Sequence, residues 1–198
     1  MPTRQEQKAA TRQRLLRYAE HLVVRQGFTG TRTLDIARAA GVAHGSVFLH
    51  FPSREALMLT VASEMGRKLT DRLHALAATG SGLRDALTAH VRCIEEHEAL
   101  YHRLLVDGPS LPPEFRTAWL GMQSAVATHV LAAAEVDIRA GTIRPMPPHL
   151  LFNTWLGLIH HYLVNREVFA PGGSVMATHG QVLIEHYLTL VTPVRSTR

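Results

Sequence analysis

Apolar residues recur every three to four positions along most of the chain, and this reads as a succession of amphipathic helices. Leu15, Ala19, Leu22 and Val23 set one stripe and predict a helix over 11–26, closed at Gly27, with Phe28 folding back onto it. The polar residues 1–10 before it read as a mobile tail whose Arg4 and Lys8 can reach an anion. Leu34, Ile36, Ala37, Ala39 and Ala40 form a short apolar run over 33–40, with Thr33 as N-cap and Asp35 where the helix dipole favours a negative charge. Gly41 suits a left-handed helix end. A second short helix fits 44–50, with Val47 and Phe51 four apart, and Pro52 stops it. Two short helices joined by a glycine-containing turn make a helix-turn-helix pattern. Periodicity alone leaves an ordinary two-helix corner equally open.

Further on, Leu57, Val61, Met65, Leu69, Leu73 and Leu76 predict a long helix that starts at the N-cap Ser53 and breaks near Thr79-Gly80-Ser81-Gly82. Helices follow over 83–96, 99–106, 114–140, 149–167 and 175–190, with a loop rich in Pro and Gly at 107–113 and an extended connector at 144–148. Glu95, Glu96 and Glu98 read as an acidic surface patch. The 149–167 segment is apolar on more than one face, as the consecutive Leu150, Leu151 and Phe152 and the pairs Trp155–Leu156 and Leu158–Ile159 illustrate, so it needs burial on two sides. A four-helix bundle made by 149–167 and 175–190 of two copies would supply the second side.

The helix-turn-helix segment has its own chemistry. His44, Gly45 and Ser46 open the second short helix with small or polar groups where a core helix would place Leu or Ile. In such a motif these first residues meet base edges in the major groove. From Thr11 to Leu59 the chain resembles the DNA-binding domain of the TetR (tetracycline repressor) family of bacterial regulators. The resemblance rests on RQRLLRYAEHLVVRQGF, TLDIARAAGVAHGSVFLHF and PSREALM. It implies an all-α, Ω-shaped homodimer of about nine helices per chain, with a three-helix DNA-binding domain over 1–52 and a helical ligand-binding and dimerisation domain over 53–198. It places DNA contacts at Thr33, Ala43, His44, Gly45, Ser46, Phe48, His50 and Arg54. Phe48 stands where the family usually has a Tyr whose hydroxyl touches a phosphate, and Arg54 stands where it usually has Lys, as a phosphate contact. The implied function is a sequence-specific, ligand-inducible repressor on a palindromic operator. A ligand-independent or architectural DNA-binding protein is the alternative.

Charge sharpens this reading. Residues 1–60 hold nine bases against four acids, a net of +5, which equals the formal net charge of all 198 residues, so 61–198 balance. A basic module on a neutral remainder is an electrostatic footprint of nucleic-acid binding. Apolar residues make up 46% of the chain, enough for a core, yet no run of about 18 apolar residues suggests a membrane span. The polar N-terminus lacks a signal-peptide pattern, and a single cysteine, Cys93, suits a reducing compartment, so a cytoplasmic protein is expected. Cys93 reads as a small core residue, with a redox sensor as the other reading.

The 13 His residues raise enzyme and metal chemistry. His97-Glu98-Ala99-Leu100-Tyr101-His102 resembles the zinc-protease motif but is one residue too long, which turns the second His about 140° away on a helix. With no nucleophile elbow, no phosphate-binding glycine loop and no cysteine pair, the expectation is no enzyme, no cofactor and no metal. An inducer pocket, expected to take a lipophilic or aromatic compound, would draw on Met65, Leu69, His90, Cys93, Tyr101, Leu104, Trp119, Met122, Trp155 and Ile159. Each reads more readily as plain core.

Overall fold

The computed structural model describes residues 3–77 and 82–193, and every regular element among them is helical. The helices are α1 (Arg4–Gly30), α2 (Thr33–Ala40), α3 (His44–Phe48), α4 (Arg54–Ala77), α5 (Leu83–Glu95), α6 (Glu98–Asp107), α7 (Pro113–Arg139), α8 (Pro148–Val164), α9 (Arg166–Phe169) and α10 (Val175–Val191), with a 3-10 turn at Gly108–Ser110. The chain is all-α as expected, with ten α-helices among the described residues. Two compact units form: residues 1–66 with 99–119, and residues 67–98 with 120–198. No described helix is long and apolar enough to cross a membrane.

In the first unit, α1 starts well before the expected position. Thr3 and Glu6 form a capping box: the Thr3 hydroxyl accepts from the Glu6 amide at 3.2 Å, and the Glu6 carboxylate accepts from the Thr3 amide at 2.6 Å. Residues 4–10 are therefore helical rather than a mobile tail. The regular helix breaks at Gly27, at φ 78°, and one further turn carries the chain to Gly30. A side chain at residue 27 would be strained there and would meet the Asp107 carboxylate at 2.7 Å.

Thr33 is not the N-cap of α2. That position belongs to Arg32, and the Thr33 hydroxyl pairs with His44 Nε2 at 3.0 Å. Gly41 does close α2, at φ 66° and ψ 39°. The second short helix ends at Phe48, earlier than position 50, and residues 49–51 continue as a turn held by Val47. Ser53 caps α4 as its place after Pro52 predicts, accepting from the Ala56 amide at 3.0 Å. Leu15, Ala19, Val23, Phe28, Ile36, Val47, Phe51 and Leu57 are buried core of this unit. Leu76 and the break at 79–81 fall where the structure describes no side chain or no residue.

In the second unit, α10 packs against α5 and α8. Gly180 permits the close approach to α5, since a Cβ there would meet Val91 Cγ1 at 2.5 Å. Asp137 accepts from the Leu83 amide at 2.8 Å and so caps α5 in place of the side chain that Gly82 lacks. Glu98 is not part of a surface patch. It is buried, and its carboxylate accepts from the Val175 and Met176 amides, each at 2.9 Å, and from the Ser174 hydroxyl at 2.7 Å. An anion at a helix N-terminus satisfies amides that have no partner within the helix. The expected single helix over 149–167 is two helices. Asn165 donates from its side-chain amide to the His161 carbonyl at 2.8 Å, competing with the helical pattern, and the chain turns there before α9.

Candidate nucleic-acid interface

Two short helices with a tight turn leave one edge of the first unit uncovered. Ala43, His44, Gly45 and Phe48 are exposed on α3, Ser46 is half-buried, and Val47 points into the core. Ala43 is the N-cap residue and offers no capping side chain, so no side chain caps the first amides of α3, although the Ser46 amide donates to the Ala43 carbonyl at 2.9 Å. The His44 and Phe48 rings stand edge to face, 5.4 Å apart, and the Thr33 hydroxyl anchors the imidazole from α2. Thr33, His44 and Phe48 are thus one cluster, built across the turn that Gly41 makes. Phe48 and Leu49, 45% and 75% exposed, are large apolar groups left toward solvent on a motif of this size. Leu49 has no place in the sequence reading, which names only Val47 and Phe51 as the apolar face of this helix.

Beside α3 lies a cleft of about 370 Å³ lined by Gln5, Lys8, Ala9, Arg12, Leu49 and His50. Its lining holds two cations and no acid. Arg12 stacks over the Phe51 ring at 4.9 Å, which fixes its guanidinium at the cleft. His50 Nδ1 is buried without a hydrogen-bond partner among the described residues. Burial, then the charges of Lys8 and Arg12, hold this imidazole below its usual pKa. The cleft has the composition that an anionic oxygen would satisfy. Lys8 was expected to reach an anion from a mobile tail; the structure sets it instead on α1, one turn before Arg12, whose place in the cleft the sequence reading did not foresee, and the Thr3–Glu6 spacing was the signal for the longer helix.

Arg54 has a structural job that its position did not suggest. Its Nε donates to the Thr31 carbonyl at 2.9 Å, and its Nη2 donates to the Thr29 carbonyl at 3.0 Å and to the Phe28 carbonyl. Glu55 lies 3.7 Å from Nη1. The guanidinium thus caps the end of α1 rather than projecting as a free phosphate contact. Two more groups grip the same end: Asp107 accepts from the Phe28 amide at 2.7 Å, and Arg103 donates to the Val24 carbonyl at 3.0 Å and the Arg25 carbonyl at 3.3 Å.

The pocket candidates fall in both units. Met65, Tyr101, Leu104 and Trp119 belong to the first, where Tyr101 and Trp119 pack 5.3 Å apart. Leu69, His90, Cys93, Met122, Trp155 and Ile159 belong to the second. Trp155 is fully buried, donates to His90 Nδ1 at 3.0 Å and packs on Tyr187 at 5.3 Å, so His90 and Trp155 form a core pair. Burial, with some help from His160, drives the His90 pKa down to about 3, and burial takes His160 to about 4. Cys93 is buried, and burial followed by the Glu96 charge pushes its thiol up to about 12. The thiolate is the reactive form. Ellman's reagent is therefore expected to label Cys93 only after unfolding; prompt stoichiometric labelling of the native chain at neutral pH would contradict this. Of all ten candidates, Leu104 and Trp119 alone border the cavity of about 250 Å³ found in the first unit, with Leu105, Gly108, Pro109, Leu111, Phe115 and Arg116.

Residues 15–61 match the family model described as bacterial regulatory proteins, tetR family. The HTH-type transcriptional repressor Rv3405c of Mycobacterium tuberculosis is 34% identical over 108 residues, covering 54% of this chain and 52% of that protein. The chain thus aligns with only about half the length of that relative. The HTH-type transcriptional repressor AcnR of Corynebacterium diphtheriae is 24% identical over 164 residues, 82% of this chain and 83% of that one. Among solved structures, the TetR family transcriptional regulator PfmR from Thermus thermophilus superposes with a TM-score of 0.72 at 20% identity, over 89% of this chain and 96% of that one, a likeness of fold.

Proposed function

We propose that this chain, which belongs to the tetR family of bacterial regulatory proteins, is a sequence-specific DNA-binding transcriptional regulator, and that it acts as a ligand-inducible repressor. The observation that carries the proposal is the exposed start of α3 beside a cleft lined by Lys8 and Arg12 without an acid. Ala43, His44, Gly45 and Ser46 would read base edges, with Gly45 allowing the backbone to come close. Thr33 would hold His44 in place. Lys8, Arg12 and His50 would meet the phosphates that flank the groove, which sets register without reading sequence.

A helix of five residues reads few base pairs, so a homodimer on a palindromic operator is the natural working form. The expected dimer surface is α8 with α10. Leu150, Val164, Val182 and Leu190 remain exposed there, Val182 at 65%, and together they favour an apolar partner face. A second copy in the cytoplasm, where the DNA is, would cover it. Relatives named as repressors favour repression over activation. An inducer would act by shifting α4, which carries residues of both units and begins at the Arg54 cap.

Selection of bound duplexes from a random pool, repeated at two salt concentrations, tests the reading. Enrichment of a short palindrome that persists at the higher salt is expected. Ser46→Arg should reduce affinity for that palindrome by about 100-fold or more through a clash at the base edges, with the oligomeric state unchanged. Sequence-blind enrichment, or full operator affinity in Ser46→Arg, would overturn the assignment of α3 as the reading helix.

A further inference from the structure

We infer that the hollow where α6 passes into α7 is a binding site for a small single-chain carboxylate, its hydrocarbon lodged against Leu104, Leu105, Leu111, Phe115 and Trp119 and its head group on Arg116. All the lining residues lie within the first unit, and the hollow measures about 250 Å³, the scale of a small organic molecule. Its walls are leucine and aromatic carbon. Leu105, Leu111 and Trp119 are only half-buried without an occupant, so apolar surface is left for a ligand to cover.

Arg116 is the one charged residue in that lining. It is exposed, and among the described residues no acid or acceptor engages it. A guanidinium presents parallel N–H donors that match the two oxygens of a carboxylate. An apolar slot with a single forked cation beside it discriminates in both directions: a neutral lipid leaves Arg116 unused, and a cationic amphiphile meets repulsion.

The hollow adjoins the groups that grip the end of α1. Phe115 forms part of its wall and packs edge to face on Phe28 at 5.8 Å. Gly108 follows Asp107, the residue that holds the Phe28 amide. The Phe28 carbonyl in turn is one of the three that Arg54 holds at the start of α4. An occupant that displaces Phe115 therefore acts on the same junction that orients α1 against the DNA-reading helices. This regulatory consequence rests on the DNA-binding reading proposed above, whereas the site itself does not.

The test is isothermal titration of the full chain with sodium octanoate and, separately, with 1-octanol. Octanoate is expected to saturate at one molecule per chain and to bind about tenfold more tightly than octanol, as a charge-assisted pair should. Arg116→Ala, a surface change, should abolish that preference and leave octanol binding as it was. Equal affinity for the two compounds, or a preference that survives Arg116→Ala, would overturn the site. Operator affinity measured with and without octanoate then reads the regulation: a loss in the native chain that is absent in Arg116→Ala supports it, and no change overturns it. Octanoate binding with the expected selectivity by a chain that enriches no operator would leave the site standing and sink the DNA reading alone.

Discussion

Lowering the pH from 7.5 to 5 should cost the fold about 4 kcal/mol. The cause is the pair of sequestered imidazoles, His90 on α5 and His160 on α8. Burial holds the folded pKa of His90 at about 3 and that of His160 at about 4, against an ordinary value of 6.5. Below 6.5 the unfolded chain takes up both protons while the folded chain refuses them, so each further unit of acidification favours unfolding by about 1.4 kcal/mol per histidine. The contribution is fully present above 6.5 and is lost progressively as pH falls toward the folded values. His90 is the stronger case, because its Nδ1 accepts from Trp155 and its Nε2 has no partner among the described residues. Urea denaturation across this range checks the slope. His90→Gln, whose side-chain oxygen can still accept from the indole, should remove about half of it. A stability that stays flat between pH 7.5 and 5 would refute the buried-neutral assignment.

Arg54→Ala is expected to lower the unfolding free energy by about 3 kcal/mol, or roughly 6–12 °C in Tm for a chain of this size. Three carbonyls at the end of α1 lose a charged donor at once. The side chain is about one-third exposed, so water recovers part of the loss and the full sum of three charge-assisted bonds is not expected. Arg54→Lys should recover little, since an ammonium cannot span the carbonyls that the planar fork reaches. The same variant separates the structural job from a phosphate contact. Measured well below its Tm, Arg54→Ala should keep the salt dependence of DNA binding, whereas a lost phosphate contact would reduce the slope of log affinity against log salt by about one. A stable Arg54→Ala with a reduced slope would return Arg54 to the DNA.

What the sequence made legible is what short-range chemistry decides. The turn at Gly41, the apolar run Ile36–Ala37–Ala40 and the stop at Pro52 are local signals, and the motif they specify forms within twenty residues or so. The Thr3–Glu6 box was equally local but lay outside any apolar stripe, so a search guided by hydrophobic periodicity passed over it. The partners of Glu98 and Arg54 escaped the sequence for a different reason. Each charge sits at a position that looks solvated in a linear reading, and its partners lie far away in sequence: Ser174, Val175 and Met176 for Glu98, and Phe28, Thr29 and Thr31 for Arg54. Composition gives no hint of such pairings. The pocket candidates show a further limit. A helical stripe identifies which residues face inward, as it did for Trp155 and Ile159, but it does not distinguish a filled interior from a hollow one. Leu105, Leu111 and Arg116 border open space because of the turn at Gly108–Ser110, which carries no apolar pattern.

The grip on the end of α1 also bears on how the chain is made. Phe28 and Asp107, whose bond helps to close the first unit, are 79 residues apart, and the intervening stretch includes residues 67–98 of the other unit. At about 5–20 residues per second, a ribosome needs roughly 4–16 s to pass from one to the other. Throughout that interval the nascent helix-turn-helix has its local turns but neither Asp107 nor Arg103 to secure α1, and closing so long a loop carries an entropic cost that the early segment cannot offset alone. Maturation of the proposed DNA-reading surface is therefore set by arrival of α6, well after α3 itself has left the ribosome.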